Sequence, residues 1–236
     1  MTRLTCIPGL MSTGTVFDRL AARMGRAVAV AQPAADDDFA RLAAGLAAGM
    51  QPRTVLLGHS MGAYLALAVA LRMPERIAGL VLVSASAAAD TPQAAAMRAK
   101  TVDWARRKGL DALAQGQVQT LLAPDNRARA DLGAVMQAMA HDVGLDTFAA
   151  HQTALATRPD QTDALPGIGC PALVLTGALD CVTPPATGRA LAKALPNAQF
   201  HEIPGAGHMP PLEAPEALAG HLTAFIDTLP QKAPAT

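Results

Sequence analysis

The stretch from Val55 to Tyr64, V-L-L-G-H-S-M-G-A-Y, places a serine between two glycines where an apolar run gives way to an alanine-rich one. A buried strand has no use for Gly58, and Gly62 weakens the helix that the following residues favour. Two departures from good propensity four residues apart point to a geometric demand, a tight turn between a strand and a helix.

The rest of the chain repeats that step. Short β-type runs at Leu4 to Ile7, Ala27 to Ala31, Arg53 to Leu57, Ile77 to Ser84, Ala172 to Thr176 and Ala198 to Ile203 alternate with helical spacing at 36–50, 61–73, 186–195 and 215–229. That alternation predicts an α/β fold, a mostly parallel sheet of about six strands with helices on both faces. With 236 residues, the chain suits one domain with at most one insertion. The rhythm breaks over residues 86–165, between the strand ending near Ser84 and the strand starting near Ala172. Helix-like pieces there predict a helical cap inserted into a single domain spanning 1–236, because an unstructured loop of that length is improbable in a compact protein. It leaves the sheet at a carboxyl edge, where open parallel sheets bind ligands. A loose Pro-Ala tail, Pro230 to Thr236, is expected to fray.

Charge narrows the partners. Lys+Arg and Asp+Glu are both 19, and no concentrated basic run exists, which argues against nucleic acid or an anionic membrane surface. No apolar stretch approaches the roughly 18 residues a membrane span needs, and Pro8 and Gly9 interrupt the N-terminal run before a signal-like core forms. A cytoplasmic protein is the expectation. Cys6, Cys170 and Cys181 have no metal-ligand spacing and read as small buried side chains in a reducing compartment.

Gly58-His59-Ser60-Met61-Gly62 fits G-x-S-x-G, in which a strained turn pushes a serine nucleophile out at the top of the sheet. The helix start behind Ser60 favours negative charge, and the Met61 backbone N–H is placed to donate to a developing oxyanion. In this context the chain resembles the α/β-hydrolase family over nearly its whole length. The resemblance rests on Ile7-Pro8-Gly9-Leu10-Met11, on the serine turn, and on two later segments. C-P-A-L-V-L-T-G-A-L-D-C-V-T-P-P, from Cys170, looks like the family's acid-bearing strand and loop. H-E-I-P-G-A-G-H-M-P-P-L-E-A-P-E, from His201, looks like its histidine loop.

The resemblance implies a serine hydrolase with catalytic Ser60, Asp180 and His208 and an oxyanion hole of the Leu10 and Met61 backbone N–H groups. The same residues make chemical sense, because a serine hydroxyl needs a base, and that base needs an acceptor to fix its tautomer. The family commonly has a His-Gly pair before the first oxyanion donor. Pro8-Gly9 replaces it here, which should alter loop packing more than chemistry. The chain opens almost on this strand, so two antiparallel strands of the family pattern are expected to be missing.

Other candidates receive plainer readings. His59 is expected to pack rather than react, and His141, His151, His201 and His221 lack ligand spacing, so no metal and no cofactor are expected. Cys181 reads as a buried spacer beside Asp180. The Asp36-Asp37-Asp38 run reads as a solvated helix start. Arg158 could offer its fork to an acidic substrate or fix a loop by a salt bridge. Met136 and Met139 suit core packing, or with Met11, Met61, Met97 and Met209 an adaptable pocket.

The expected reaction is cleavage of a carboxylic ester, or a related acyl bond, of a small-molecule acyl substrate through an acyl-enzyme. Among relatives, esterases and enol-lactonases of bacterial aromatic-acid catabolism look most similar. Enol-lactone, thioester and carbon–carbon hydrolysis use the same residues, as does acyl transfer. A triad-retaining small-ligand receptor is the competing class. Apolar helix faces in the insertion leave room for a homo-oligomer.

Overall fold

The strands are β1 (Arg3–Ile7), β2 (Ala29–Val30), β3 (Thr54–His59), β4 (Ile77–Val83), β5 (Ala172–Gly177) and β6 (Ala198–Ile203) in the computed structural model, which describes residues 3–230. They form one sheet in the order β2-β1-β3-β4-β5-β6, with every neighbouring pair parallel. β3 is buried along its whole length and β4 nearly so. The strands can be continuously apolar because both faces are covered. Ile7, Leu56, Leu80, Leu82 and Val174 pack into one core, while Cys6, Val55, Leu57, Val81 and Leu175 pack into the other. This is the period-two alternation of a strand read from its two sides.

The covering helices are α1 (Asp18–Met24), α2 (Phe39–Ala48) and α3 (Met61–Arg72), followed after the insertion by α8 (Pro185–Ala194), α9 (Pro210–Glu213) and α10 (Pro215–Thr228). The insertion itself carries α4 (Pro92–Lys108), α5 (Leu110–Leu121), α6 (Ala130–Val143) and α7 (Leu145–Ala156). α4 shows why such a segment is helical. Thr91 caps it by accepting the Ala94 N–H at 3.2 Å, Pro92 occupies its first turn, and Arg106, Arg107 and Lys108 close its negative end.

The insertion has a small core of its own, with Val102, Ala105, Leu113, Ala114, Ala140 and Phe148 around Met11. It is also rooted in the sheet domain. Leu132, Met136 and Met139 join the core that holds Phe17 and Met209, and Ala154 and Leu155 join the other.

Several expectations need correction. The second strand shrinks from Ala27–Ala31 to Ala29–Val30. The helix expected from Asp36 starts at Phe39, because the aspartates serve as caps. Asp38 accepts the Arg41 N–H at 2.8 Å, and Asp36 accepts the Asp38 N–H at 2.8 Å. Cys6 is buried and Cys170 half-buried, but Cys181 is exposed. It stands on the outside of the turn after Asp180, so it is not a buried spacer. Residues 231–236 of the Pro-Ala tail lie outside the described residues. Among the described residues, no helix is long and apolar enough to cross a membrane.

Candidate active site

β3 runs straight into α3 through Ser60, whose φ of 52° and ψ of −118° are strained for a residue with a side chain. Crowding explains both flanking glycines. A Cβ on Gly58 would stand 2.3 Å from the Gly62 carbonyl oxygen, and one on Gly62 would stand 2.1 Å from that of Ile7. The turn is therefore wedged between β1 and its own helix. The Ser60 N–H donates to the Val83 carbonyl at 2.9 Å, tying the turn to the end of β4.

Asp180 and His208 emerge from the same sheet edge, after β5 and β6. The His208 Nδ1 lies 2.8 Å from Asp180 Oδ2 and 3.0 Å from Oδ1, and its Nε2 lies 2.9 Å from Ser60 Oγ. A proton on Nδ1 donates to the carboxylate, which leaves the Nε2 lone pair to accept from the serine hydroxyl. Asp180 also accepts the Val182 N–H at 2.8 Å, the Thr183 N–H at 2.9 Å and the Thr183 hydroxyl at 2.9 Å. Burial raises the carboxyl's pKa, but hydrogen bonding and charge from His208, helped by the Thr183 contacts, bring it below the ordinary value. Asp180 is thus held as an anion while 3% exposed, and His208 is 3% exposed too.

One supporting residue was missed in the sequence. The buried Glu213 carboxylate accepts the Gly207 N–H at 2.9 Å and the Met209 N–H at 3.1 Å on either side of His208. Its other oxygen accepts the Ala123 N–H at 2.7 Å and the Asn126 amide at 2.8 Å, both from the connection between α5 and α6. The His208 N–H donates to the Leu121 carbonyl at 2.6 Å. The histidine loop and the insertion are therefore joined at one carboxylate. A glutamate inside P-P-L-E-A-P, an otherwise apolar run, is the signal that could have found it.

His59 packs, as expected. Its Nε2–H donates to the His208 carbonyl at 2.8 Å, and its buried Nδ1 has no partner among the described residues. Burial, reinforced by the nearby His208, pushes its pKa down to about 4, so the ring is neutral. Arg158 takes the loop-fixing role. Buried at 8% exposure, it pairs with Asp90, donates to the carbonyls of Leu155 at 3.0 Å and Ala88 at 2.9 Å, and lies over the Tyr64 ring. Asp90 also pairs with Arg98, which donates to Gln152 Oε1 at 2.8 Å. Burial raises the Asp90 pKa, and hydrogen bonds from Arg98 and Arg158 outweigh it, leaving it below the ordinary value.

A cavity of about 120 Å³ opens over Ser60 and His208. Leu10 lines it, with Leu121 of α5, Leu155 of α7 and Met209 forming apolar walls. Met61 is buried at the head of α3, where first-turn N–H groups have no carbonyl partner within the helix. Met11, Met136, Met139 and Met209 meet beside this cavity, whereas Met97 is exposed. His201 and His221 stack on each other, and His141 bonds Asp111. Among the described residues, no group of three or more His, Cys, Asp or Glu side chains could hold a metal.

Comparison with known proteins identifies the family and the fold. The profile of the alpha/beta hydrolase family matches residues 4–221. The polyketide synthase ThaQ of Burkholderia thailandensis is 31% identical over 95% of this chain, which spans only 12% of that protein's length. The pimeloyl-[acyl-carrier protein] methyl ester esterase of Neisseria meningitidis is 31% identical, over 80% of this chain and 75% of its own. Among solved structures, an esterase from Thermogutta terrifontis superposes with a TM-score of 0.86 at 28% identity, covering 96% of this chain and 90% of that one.

Proposed function

This chain belongs to the α/β-hydrolase family, and we propose that it is a serine hydrolase that cleaves a carboxylic ester, or a related acyl bond, of a small substrate. The observation that carries the reading is the unbroken hydrogen-bonded line from Ser60 Oγ through His208 to Asp180, opening into one cavity. Relatives with esterase activity support it. Esters, enol-lactones and thioesters would all reach an acyl-enzyme through the same atoms.

In the proposed reaction His208 Nε2 takes the Ser60 proton as Oγ attacks the carbonyl carbon. The carbonyl π electrons move to oxygen, and the Leu10 and Met61 backbone N–H groups stabilise that charge; one such donor contributes roughly a hundredfold or more. Collapse of the intermediate expels the alcohol, which receives the proton from His208. Water, giving a proton to His208, then attacks the acyl carbon, and the second intermediate collapses to the free acid as His208 returns that proton to Ser60 Oγ. Asp180 keeps Nδ1 protonated throughout and balances the imidazolium. The helices of 92–156 act as a cap, since Leu121 and Leu155 close the cavity over the serine.

Turnover of p-nitrophenyl esters of increasing acyl length, beside enol-lactone and thioester substrates, tests the proposal. Wild type is expected to turn over at least one class repeatedly, with Ser60→Ala reduced by several orders of magnitude. Stoichiometric acylation without turnover would instead favour a receptor or a transferase.

A further inference from the structure

The cavity over Ser60 is apolar on most sides, yet the helical insertion adds two polar side chains to its wall, Arg98 from α4 and Gln117 from α5. Among the described residues, Arg98 is the only Arg, Lys, Asp or Glu side chain lining it. Neither residue is needed for the acyl-transfer steps. Their placement is what a site uses to recognise a second polar group on its ligand.

Charge and donor geometry say which group that is. Arg98 and Arg158 both pair with the one carboxylate of Asp90, two guanidinium groups to a single acid. Arg158 is closed off: Asp90, two carbonyls and the Tyr64 face surround it, and its side chain is 6% exposed. Arg98 is the open member, at 22%. A guanidinium has five N–H donors. Arg98 directs Nε–H and one Nη2–H at Asp90 and one Nη1–H at Gln152, leaving one donor on each terminal nitrogen. Those two remain available to an acceptor, and a carboxylate is the acceptor a guanidinium binds most strongly. The Gln117 side chain makes no hydrogen bond among the described residues, and its amide can complete the contact.

From this arrangement we infer that the substrate carries a carboxylate in addition to its scissile acyl bond, and that Arg98, aided by Gln117, binds it. Asp90 and Gln152 orient the guanidinium, so Arg98 confers specificity and takes no part in bond making. The inference rests on the hydrolase reading for its turnover test and is independent of it for its binding test.

Methyl hydrogen glutarate and methyl pentanoate share an acyl length and differ in the terminal carboxylate. The ratio of their kcat/KM values is expected to exceed about tenfold in wild type, the scale of a charge-assisted hydrogen bond. Arg98→Met should reduce that ratio to one or below through KM of the anionic ester, Arg98→Lys should recover part of it, and Gln117→Leu should lower it less. A purely structural Arg98 would depress both esters together and leave the ratio unchanged, which would overturn the inference, as would a wild-type ratio near one. If neither ester nor any p-nitrophenyl ester is turned over, the hydrolase reading fails, and calorimetry decides the carboxylate site alone. Glutarate binding that weakens tenfold or more in Arg98→Met supports the site, and no binding of glutarate to wild type removes it.

Discussion

A methyl group on Gly62, in the turn that presents Ser60, would stand 2.1 Å from a backbone oxygen, whereas the insertion's glycines, at 109, 116, 133 and 144, meet nothing closer than 3.9 Å. The two regions therefore hold their functional groups in different ways. The sheet edge places Ser60, Asp180 and His208 by backbone crowding, with loops emerging from adjacent buried strands. The insertion places Arg98 by side-chain pairing, with Asp90 and Gln152 steering one guanidinium. Backbone placement tolerates almost no substitution and leaves a strong local pattern in the sequence. Side-chain placement is easier to change, and it sits where a family alters its substrates without altering its chemistry.

The contrast can be broken from either side. The largest effect is expected at the sheet edge. Asp180→Asn keeps the shape but removes the anion that fixes the His208 tautomer, and kcat should fall by about 10⁴ with little change in KM in steady-state assays. A fall under tenfold would mean that another acid does the work. Gly62→Ala comes next, since a Cβ 2.1 Å from the Ile7 oxygen forces β1 and α3 apart. A loss of roughly 3 kcal/mol or more in urea unfolding, or failure to fold, is expected.

His59 sharpens the same point through pH. Its pKa is about 4 in the folded chain against 6.5 unfolded, so between those values the unfolded state binds more protons. Stability from this group is complete above pH 6.5 and lost as pH falls toward 4, on the order of 3 kcal/mol across the window. His59→Gln should flatten that part of the stability profile in denaturant titrations. An unchanged slope would place the acid sensitivity elsewhere. The smallest effect belongs to the insertion, where Gly116→Ala, exposed and uncrowded in α5, should stabilise by about 0.5–1 kcal/mol in thermal unfolding.

What could be read in the sequence follows the same division. The turn around Ser60 and the loops bearing Asp180 and His208 were legible because glycines and strand ends impose local patterns. The four helices of the insertion were legible from helical spacing, and α4 from its proline start as well. α1 was not, because Leu20 is its only buried residue and gives no period. The Asp90–Arg98–Arg158 cluster was not either. Its members lie 8 and 68 residues from Asp90, and only folding brings them together. Glu213 joins segments some 90 residues apart, a contact no local pattern encodes. Cys181 was misjudged because hydrophobicity says nothing about which side of a turn a residue occupies.

The most direct test of the central claim is to react the protein with a fluorophosphonate and map the adduct by mass spectrometry of its peptides. Phosphonylation of Ser60 with loss of fluoride, absent in Ser60→Ala and strongly slowed in Asp180→Asn, is the predicted result, because only a serine activated through His208 attacks at a useful rate. Equal labelling of Asp180→Asn and wild type, or an adduct on another residue while Ser60 stays unmodified, would contradict the account.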